Sequence, residues 1–206
     1  KHHGGVAKAD LNAENLEALE KGLPNLMQHV ENITKVYGLP CVVAINRFPM
    51  DTEAELKLIE DKCHEVGVNV ALSEVWAKGG EGGEELAKEV IRLCETESEF
   101  HYCYETDTTI EEKLDAIVKK IYHGDGVVLT DAAKKQAKRL TELGFGNYPI
   151  CMAKTQYSFS DNAKLLGAPK HFTVTVRNRL HRSADRRHHD DARTSEGAGG
   201  REDRCR

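Results

Sequence analysis

The chain has 206 residues, enough for one large domain or two small ones with a substantial core. Hydrophobic residues make up 39% and charged residues 31%, as in soluble globular proteins, and the net charge of −5 argues against a general nucleic-acid binder. No apolar stretch approaches the roughly 20 residues needed to span a bilayer, and no signal peptide opens the chain. We therefore expect a cytoplasmic protein with no membrane or nucleic-acid partner.

The six cysteines are scattered and form no CxxC pair. A disulfide framework is not expected at this size and spacing. Most of the cysteines fall in apolar periodic segments, so they are predicted to be reduced core residues.

The first part of the chain predicts one long helix and a strand. Apolar residues at helical spacing predict a helix over 12–37, kinked or divided near Pro24 and closed by Gly38. The following "PCVVAI" (40–45) is short and rich in β-branched residues, which is typical of a fully buried strand.

The next elements continue this alternation. Thr52 and Glu55 predict a capping box that opens a helix ending at Gly67, and "VNVALSEVW" (68–76) predicts the next strand and its exit. The sequence "GGEGG" then leads into another helix. The face of that helix predicted to point inward holds Leu86, Val90, Ile91 and Cys94. This order of elements predicts right-handed crossovers and a parallel sheet with helices on its faces.

A polar and aromatic connector (96–108) precedes the second part. Thr109 and Glu112 predict another capping box and helix, and a further helix is predicted from Thr130 to Leu143. Three short segments are predicted as strands or, for the first, as a strand or turn: "GDGVVL", "PICMAK" and "HFTVTVR".

The predicted fold class is therefore α/β, with a parallel, Rossmann-like sheet flanked by helices and a second, smaller α/β portion. We expect an α/β unit over 1–98, a second portion over 99–177 and a tail over 178–206.

Ligands of open α/β sheets bind beyond the carboxyl ends of the strands. Phe48 and Pro49 follow one predicted strand, and Trp76, the only tryptophan, follows the next. If the strands are neighbours, the two rings lie on one rim and could hold a flat heterocycle between them. The alternative is that both rings are packing residues.

Two further stretches lie at strand ends. Backbone amides of the glycines at 79–83 could cradle an anion beside Lys78, although the segment is not GxxxxGK[ST] and is equally typical of a flexible turn. The polar residues of "KTQYSFSD" (154–161) follow the predicted strand "PICMAK" and could border the site or form an ordinary polar loop.

Five of these segments together resemble the formate–tetrahydrofolate ligases, also called 10-formyltetrahydrofolate synthetases, in the right order from His3 to Arg177. They are "HGGVAKADL", "VVAINRFPMDTEAE", "ALSEVWAKGGEGG", "LGFGNYPICMAKTQYSFSDN" and "FTVTVR". The resemblance implies an enzyme of one-carbon metabolism that makes 10-formyltetrahydrofolate from formate, tetrahydrofolate and ATP (with Mg²⁺) through formyl phosphate. It also implies a cytoplasmic homotetramer for the full-length family and no tightly bound cofactor or metal.

The resemblance implies roles for particular residues as well. Phe48, with Pro49, and Trp76 correspond to the family's positions that sandwich the pterin ring of the folate. The nucleotide is then expected near the segment that follows Trp76, namely Ala77, Lys78, Gly79 and Gly80. Lys154, Gln156 and Tyr157 are expected to border the site, and no catalytic residue is assigned.

One departure from the family pattern is important. The family's phosphate-binding loop, a TPxGEGKT-type segment, is absent from these 206 residues, and with it the groups that stabilise charge on a transferring phosphoryl group. We therefore expect the chain to be inactive by itself. Two alternatives are a non-catalytic folate- or nucleotide-binding module and an interaction protein whose basic tail binds nucleic acid.

The tail over 178–206 differs in amino-acid composition from the rest of the chain. It is rich in arginine and has no aromatic residue, so we expect it to be disordered. Permitted codons for this segment, read one base out of frame, give a sequence similar to the one that follows FTxTVR in the family. We interpret the tail as a frameshifted translation, and the initial Lys1 as a sign that the N-terminus is a cut.

Overall fold

A computed structural model describes residues 1–177 of the chain. The predicted tail over 178–206 lies outside the described residues. Two short 3₁₀ turns, His2–Gly4 and Lys8–Asp10, precede the first helix, α1 (Leu16–Glu31). No helix in the described part is long and apolar enough to cross a membrane.

Helix α1 begins later than predicted and is not divided. The Asn15 side chain caps it by accepting a hydrogen bond from the Ala18 amide, which fixes its start. The helix runs without interruption through Pro24. It then widens into a π turn over Asn32–Val36, and Gly38, with φ of 67°, reverses the chain.

The first sheet confirms the predicted parallel pairing. Strand β1 (Val42–Asn46) leads through helix α2 (Glu53–Glu65) to strand β2 (Asn69–Ser73). The two strands are parallel, with Val42 opposite Asn69 and Asn46 opposite Ser73. Both strands therefore end at the same edge of the sheet.

The core beneath this sheet joins α1 and α2 to the strands. Its buried members are Val30, Val43, Cys63 and Val68. Helices α3 (Val75–Lys78) and α4 (Glu84–Cys94) follow β2, separated by a 3₁₀ turn over Gly79–Gly83.

The prediction of which face of α4 points inward is wrong. Ile91 is 61% exposed, Val90 and Cys94 are also exposed, and only Leu86 of the four is half-buried. The helix packs on β2 and β1, and its apolar stripe extends beyond the surface that is buried there.

The second portion repeats the parallel arrangement on a smaller scale. Helix α5 (Ile110–Lys120) opens with the predicted capping box, in which Thr109 and Glu112 bond each other's backbone amides. Strand β3 (Gly126–Leu129), helix α6 (Asp131–Glu142) and strand β4 (Thr173–Val176) follow, and β3 pairs with β4 in parallel. Ile110, Leu114, Leu129 and Ala133 form its core.

The predicted strand "PICMAK" is wrong, because residues 149–154 are irregular. Pro149 has no amide hydrogen, and the Ile150 amide donates to the Tyr104 hydroxyl at 2.8 Å instead of to another strand. The buried Lys113 ammonium donates to the carbonyls of Gly146 and Tyr148 just upstream. Side chains thus take the place of a strand partner along this segment.

Side-chain hydrogen bonds connect the two portions. The amides of Gln28 and Asn32 both donate to the Ile121 carbonyl, at 3.0 and 2.9 Å, and Asn25 donates to the Gly167 carbonyl at 2.8 Å. Helix α1 is therefore fixed against the end of α5 and against the loop that precedes β4.

Candidate functional site

The candidate site lies where β1 and β2 end. The Arg47 amide donates to the Ser73 carbonyl at 3.0 Å, which extends the pairing by one step beyond β1. Phe48 and Pro49 come immediately afterwards, while α3 carries Trp76 away from the end of β2. The sheet edge expected to bind a ligand therefore carries both aromatic residues.

Phe48 and Trp76 lie side by side. Their ring centroids are 6.2 Å apart and their planes differ by 18°. Phe48 is 53% exposed and Trp76 is 56% exposed, so neither ring is a core residue. Each ring therefore keeps a large apolar face accessible to solvent at the sheet edge.

Hydrogen bonds hold both rings in place. The Trp76 indole Nε1 donates to the Arg47 carbonyl at 2.6 Å, which ties α3 to the end of β1. The Phe48 amide donates to the Asp51 carboxylate at 2.8 Å, and the Asp51 amide donates back to the Phe48 carbonyl at 3.0 Å. The Arg47 guanidinium pairs with Glu53 at the start of α2. Phe48 therefore belongs to a small hydrogen-bonded turn, and Trp76 belongs to a helix that is tied to the residue before that turn.

The two rings are too close together to hold a third ring between them without moving. A ring inserted between two others needs about 7 Å between the outer planes, twice a contact distance of about 3.5 Å. The observed 6.2 Å is the distance between the ring centroids, which is an upper limit on the separation of the two planes. A flat ligand therefore enters only if the rings move apart, and the Phe48 ring carries no polar group that opposes this movement.

The glycine turn after Trp76 folds back on the end of β2. The Glu74 amide donates to the Gly82 carbonyl at 2.9 Å, and a Cβ at Gly82 would lie 2.5 Å from the Glu74 carbonyl carbon. Gly79 has φ of 62°, a conformation that favours glycine. Two glycines of this segment are therefore required by the backbone itself.

Lys78 is not a free cation. Its ammonium pairs with the Glu74 carboxylate at 2.6 Å, and this hydrogen bond holds the pKa of Glu74 below its usual value. The first turn of α4 carries Glu84 and Glu85, which oppose an anion at that helix end. Ala77, Gly79 and Gly80 follow Trp76 closely in the chain, and the segment 74–85 around them holds four carboxylates against the single cation of Lys78.

Lys154 is turned inward. Its ammonium donates to the carbonyls of Thr155 and Ser160 at 3.1 Å each and to the Ser158 carbonyl, and it lies 4.8 Å from the centre of the Tyr122 ring. Burial is the main cause that lowers its pKa. This side chain organises the 154–160 loop and has no hydrogen left for a ligand.

The two other residues expected at the border are exposed. The Tyr157 ring lies 5.4 Å from the Lys8 ammonium, and Gln156 faces solvent. Within residues 1–177, no hydrogen bond or ring contact joins the 154–160 loop to Phe48 or Trp76. The structure therefore brings together the two aromatic residues but does not add the loop to them.

The sequence reasoning missed Arg47 and Asp51 as the residues that hold the rings. Asp51 was detectable, because an aspartate three residues after Phe48 and just beyond a proline is typical of a side chain that closes a turn. The role of the Arg47 carbonyl depends on the pairing of the strands and left no signal in the sequence.

The family of the chain follows from comparison with known proteins. A family model described as "Formate--tetrahydrofolate ligase" matches residues 1–184. The chain belongs to the formate–tetrahydrofolate ligase family. The family match includes both strand ends and the 154–160 loop, and its last residues enter the segment that the structure does not describe.

The described side chains do not form a metal-binding site. In residues 1–177, no group of three or more histidine, cysteine, aspartate or glutamate side chains is placed to hold a metal ion.

Proposed function

We propose that this chain supplies the folate-holding part of a formate–tetrahydrofolate ligase and that the pterin ring inserts between Phe48 and Trp76. The observation that carries the proposal is the pair of exposed, nearly parallel rings at the ends of two adjacent strands. Stacking on both faces of a flat heterocycle contributes about 0.5–1.5 kcal/mol per aromatic pair beyond the burial of its surface.

The residues around the rings have supporting roles in this proposal. Pro49 limits the backbone after Phe48, Asp51 closes the turn, and the Arg47 carbonyl fixes the indole. A ring system that is oriented before binding loses less entropy when the ligand arrives. The exposed faces of the rings provide the affinity, and their polar neighbours provide the orientation.

In the proposed reaction, an oxygen of formate attacks the terminal phosphorus of ATP, and ADP leaves. Nitrogen N10 of tetrahydrofolate then attacks the formyl carbon of the resulting formyl phosphate, phosphate leaves, and the N10 proton is released with it. The residues 77–80 would border the nucleotide. Because Lys78 is paired with Glu74 and the sequence contains no phosphate-binding loop, the charge stabilisation that phosphoryl transfer needs is not supplied by the described residues.

We accordingly propose that the 206-residue chain binds a reduced folate but does not turn over by itself. A non-catalytic binding module would show the same folate affinity. Addition of an N-terminal segment that carries a phosphate-binding loop separates the two possibilities, because only a ligase part would then form 10-formyltetrahydrofolate. A cytoplasmic location and a homotetrameric full-length enzyme complete the proposal.

The folate proposal can be tested with the single tryptophan as a built-in probe. Tetrahydrofolate added to the purified chain should change Trp76 fluorescence with a saturable dependence on concentration. The variant Phe48→Ala should weaken this binding. The matched control is Phe100→Ala, since Phe100 is also 53% exposed but lies in the connector before α5. Equal binding by the parent and Phe48→Ala would rule out the stacked site.

A further inference from the structure

The edge of β2 that faces away from β1 is open. In the described part of the chain, β2 pairs with β1 alone, in a sheet of two strands. Alternate residues of a parallel strand direct both their amide and their carbonyl to the same side. The Ser73 carbonyl accepts a hydrogen bond from the Arg47 amide and so points towards β1. Val70 and Leu72 therefore point their amides and carbonyls away from β1.

These outward backbone groups have no partner in residues 1–177. No third strand lies beside them, and no turn, loop or side chain forms a hydrogen bond with them. The open stretch is bounded at both ends, because the Val68 amide donates to the Cys63 carbonyl at 3.0 Å and the Glu74 amide donates to the Gly82 carbonyl at 2.9 Å. Two donors and two acceptors thus remain between these turns, and an unpaired edge of this kind is a template for a further strand.

A groove with a volume of about 700 Å³ lies along this edge. The backbone of β2 contributes Val70, Ala71 and Leu72 to it, and Leu72 is 41% exposed. Helices on either side contribute the rest of its lining, with Glu60 and His64 from α2 and with Glu85, Lys88, Glu89 and Arg92 from α4. The groove therefore offers unpaired backbone groups and an accessible apolar side chain in the same place.

The groove has an excess of negative charge. Its lining includes five carboxylates and three lysine or arginine cations. Each cation is already paired with a carboxylate, in the pairs Lys78–Glu74, Lys88–Glu85 and Arg92–Glu89. Glu60 and Glu81 have no ion pair in residues 1–177. This excess favours an occupant with lysine or arginine and opposes a second copy of the same edge, which would bring identical carboxylates together.

We propose that the open edge of β2 binds an extended basic segment of another polypeptide, which adds a third strand to the sheet. The backbone of that segment pairs with Val70 and Leu72, and one of its apolar side chains covers Leu72. A lysine or arginine of the segment lies near Glu60 or Glu81. The backbone pairing provides affinity for any extended chain, and the two carboxylates select a basic one. The edge does not include Phe48 or Trp76, so the proposal does not depend on folate binding.

The test is NMR of the full 206-residue chain with the blocked peptide Lys-Thr-Val-Thr-Val-Thr-Lys. We expect saturable shift changes, and hydrogen exchange of the Val70 and Leu72 amides should slow by at least about tenfold. Exchange of the Ala71 amide should change little, because that amide points towards β1. Two control peptides have glutamate in place of both lysines or N-methyl groups on the valine and threonine amides. Each should bind at least about tenfold more weakly than the lysine peptide.

A pair of double variants tests the selection by charge. Glu60→Gln combined with Glu81→Gln should weaken the lysine peptide by about fivefold. The matched control combines Glu14→Gln with Glu20→Gln, which gives the same net charge but changes exposed carboxylates outside the groove. This control should bind the lysine peptide as the parent chain does.

The proposal is wrong if millimolar lysine peptide causes no shift change, if the glutamate peptide binds equally well, or if the two double variants bind alike. Slow exchange of the Val70 and Leu72 amides in the chain alone would also overturn it, because the edge would then be covered by the chain itself or by a second copy. The peptide series uses the parent chain, so it decides the question even if a variant fails to fold.

Discussion

The Phe48–Trp76 pair and the Lys154 loop both follow segments predicted as strands, yet they are built in opposite ways. At the first, two apolar rings are exposed while backbone groups and Asp51 hold them from behind. At the second, the polar group is turned inward and satisfied by three carbonyls of its own loop. The aromatic pair leaves a surface open for binding. The hydrogen-bond donors of Lys154, in contrast, are all used within its own loop.

Whether a side chain can bind a ligand depends on which of its groups are still free in the folded protein. A charged side chain beyond a strand is a candidate ligand only if its hydrogen-bonding groups remain free, because a satisfied group must break existing bonds before it can bind. An exposed aromatic ring offers its open face without breaking a hydrogen bond, so a ligand has only to separate the ring from its stacking partner. Lys78 is intermediate in this respect, because its side chain is exposed and only one of its three hydrogens is used, in the pair with Glu74.

The largest expected effect is on the Lys154 side. Lys154→Met should lower the free energy of unfolding by about 3 kcal/mol, since three carbonyls lose their donor at about 1 kcal/mol each. Urea denaturation measures this. The matched control is Lys164→Met in the same loop, where the side chain is exposed and a change within about 0.5 kcal/mol is expected. Equal stability of both variants would show that Lys154 does not organise the loop.

Trp76→Ala should have a small effect on stability and a large effect on folate binding. The side chain is more than half exposed, so we expect a loss of stability of about 1 kcal/mol, mainly from the indole hydrogen bond. Affinity for tetrahydrofolate should fall by about tenfold or more, because both stacking and burial are lost. Calorimetry is the suitable measurement, since this variant has no tryptophan. A large fall in stability with unchanged affinity would place Trp76 in the same class as Lys154.

Asp51 tests whether orientation contributes separately from contact. Asp51→Ala removes the acceptor of the Phe48 amide and should weaken folate binding by about fivefold, the equivalent of one hydrogen bond of about 1 kcal/mol. Asp51→Asn keeps an oxygen acceptor and should recover most of the affinity. Binding by Asp51→Asn as weak as that of Asp51→Ala would indicate that charge and not the turn is needed.

The smallest expected effect is a dependence of stability on pH through His29, which interacts with Lys154. Burial and then the charge of Lys154 lower the pKa of His29 below its usual 6.5. The unfolded chain therefore binds more protons than the folded chain below about pH 7. Stability contributed by neutral His29 is fully present above that range and is lost as the pH falls through 6.5 towards the folded pKa.

Urea midpoints of the parent and His29→Gln between pH 8 and pH 5 isolate this effect. The parent should lose more stability on acidification than the variant, because glutamine does not titrate. Identical pH profiles would show that His29 does not couple to folding.

Several parts of the fold were predictable because local chemistry fixes them. Thr109 and Glu112 cap α5 as predicted, Gly38 reverses the chain after the first helix, and both sheets are parallel. Each depends on neighbours in the sequence or on the alternation of helix and strand. The failures were non-local: "PICMAK" had strand character but found Tyr104 in place of a strand partner, and the apolar stripe of α4 is only partly covered by β1 and β2.

The candidate site divides along the same line. Phe48 and Trp76 were identified from the sequence as strand-end residues and by resemblance to the family, and the structure places them together. Asp51 and the Arg47 carbonyl were not identified. Their importance arises from the hydrogen bonds that they make with residues brought near by folding.

The sequence alone was enough for the order of elements in the first sheet, for the capping of α5 and α6 and for the residue types at the strand ends, because these follow from propensity, capping and periodicity over a few neighbouring residues. Only the tertiary structure decided that Phe48 and Trp76 face each other 6.2 Å apart and that Lys154 is enclosed by carbonyls. Exposure and hydrogen-bond satisfaction depend on which distant segments occupy the same space, and no local pattern encodes that.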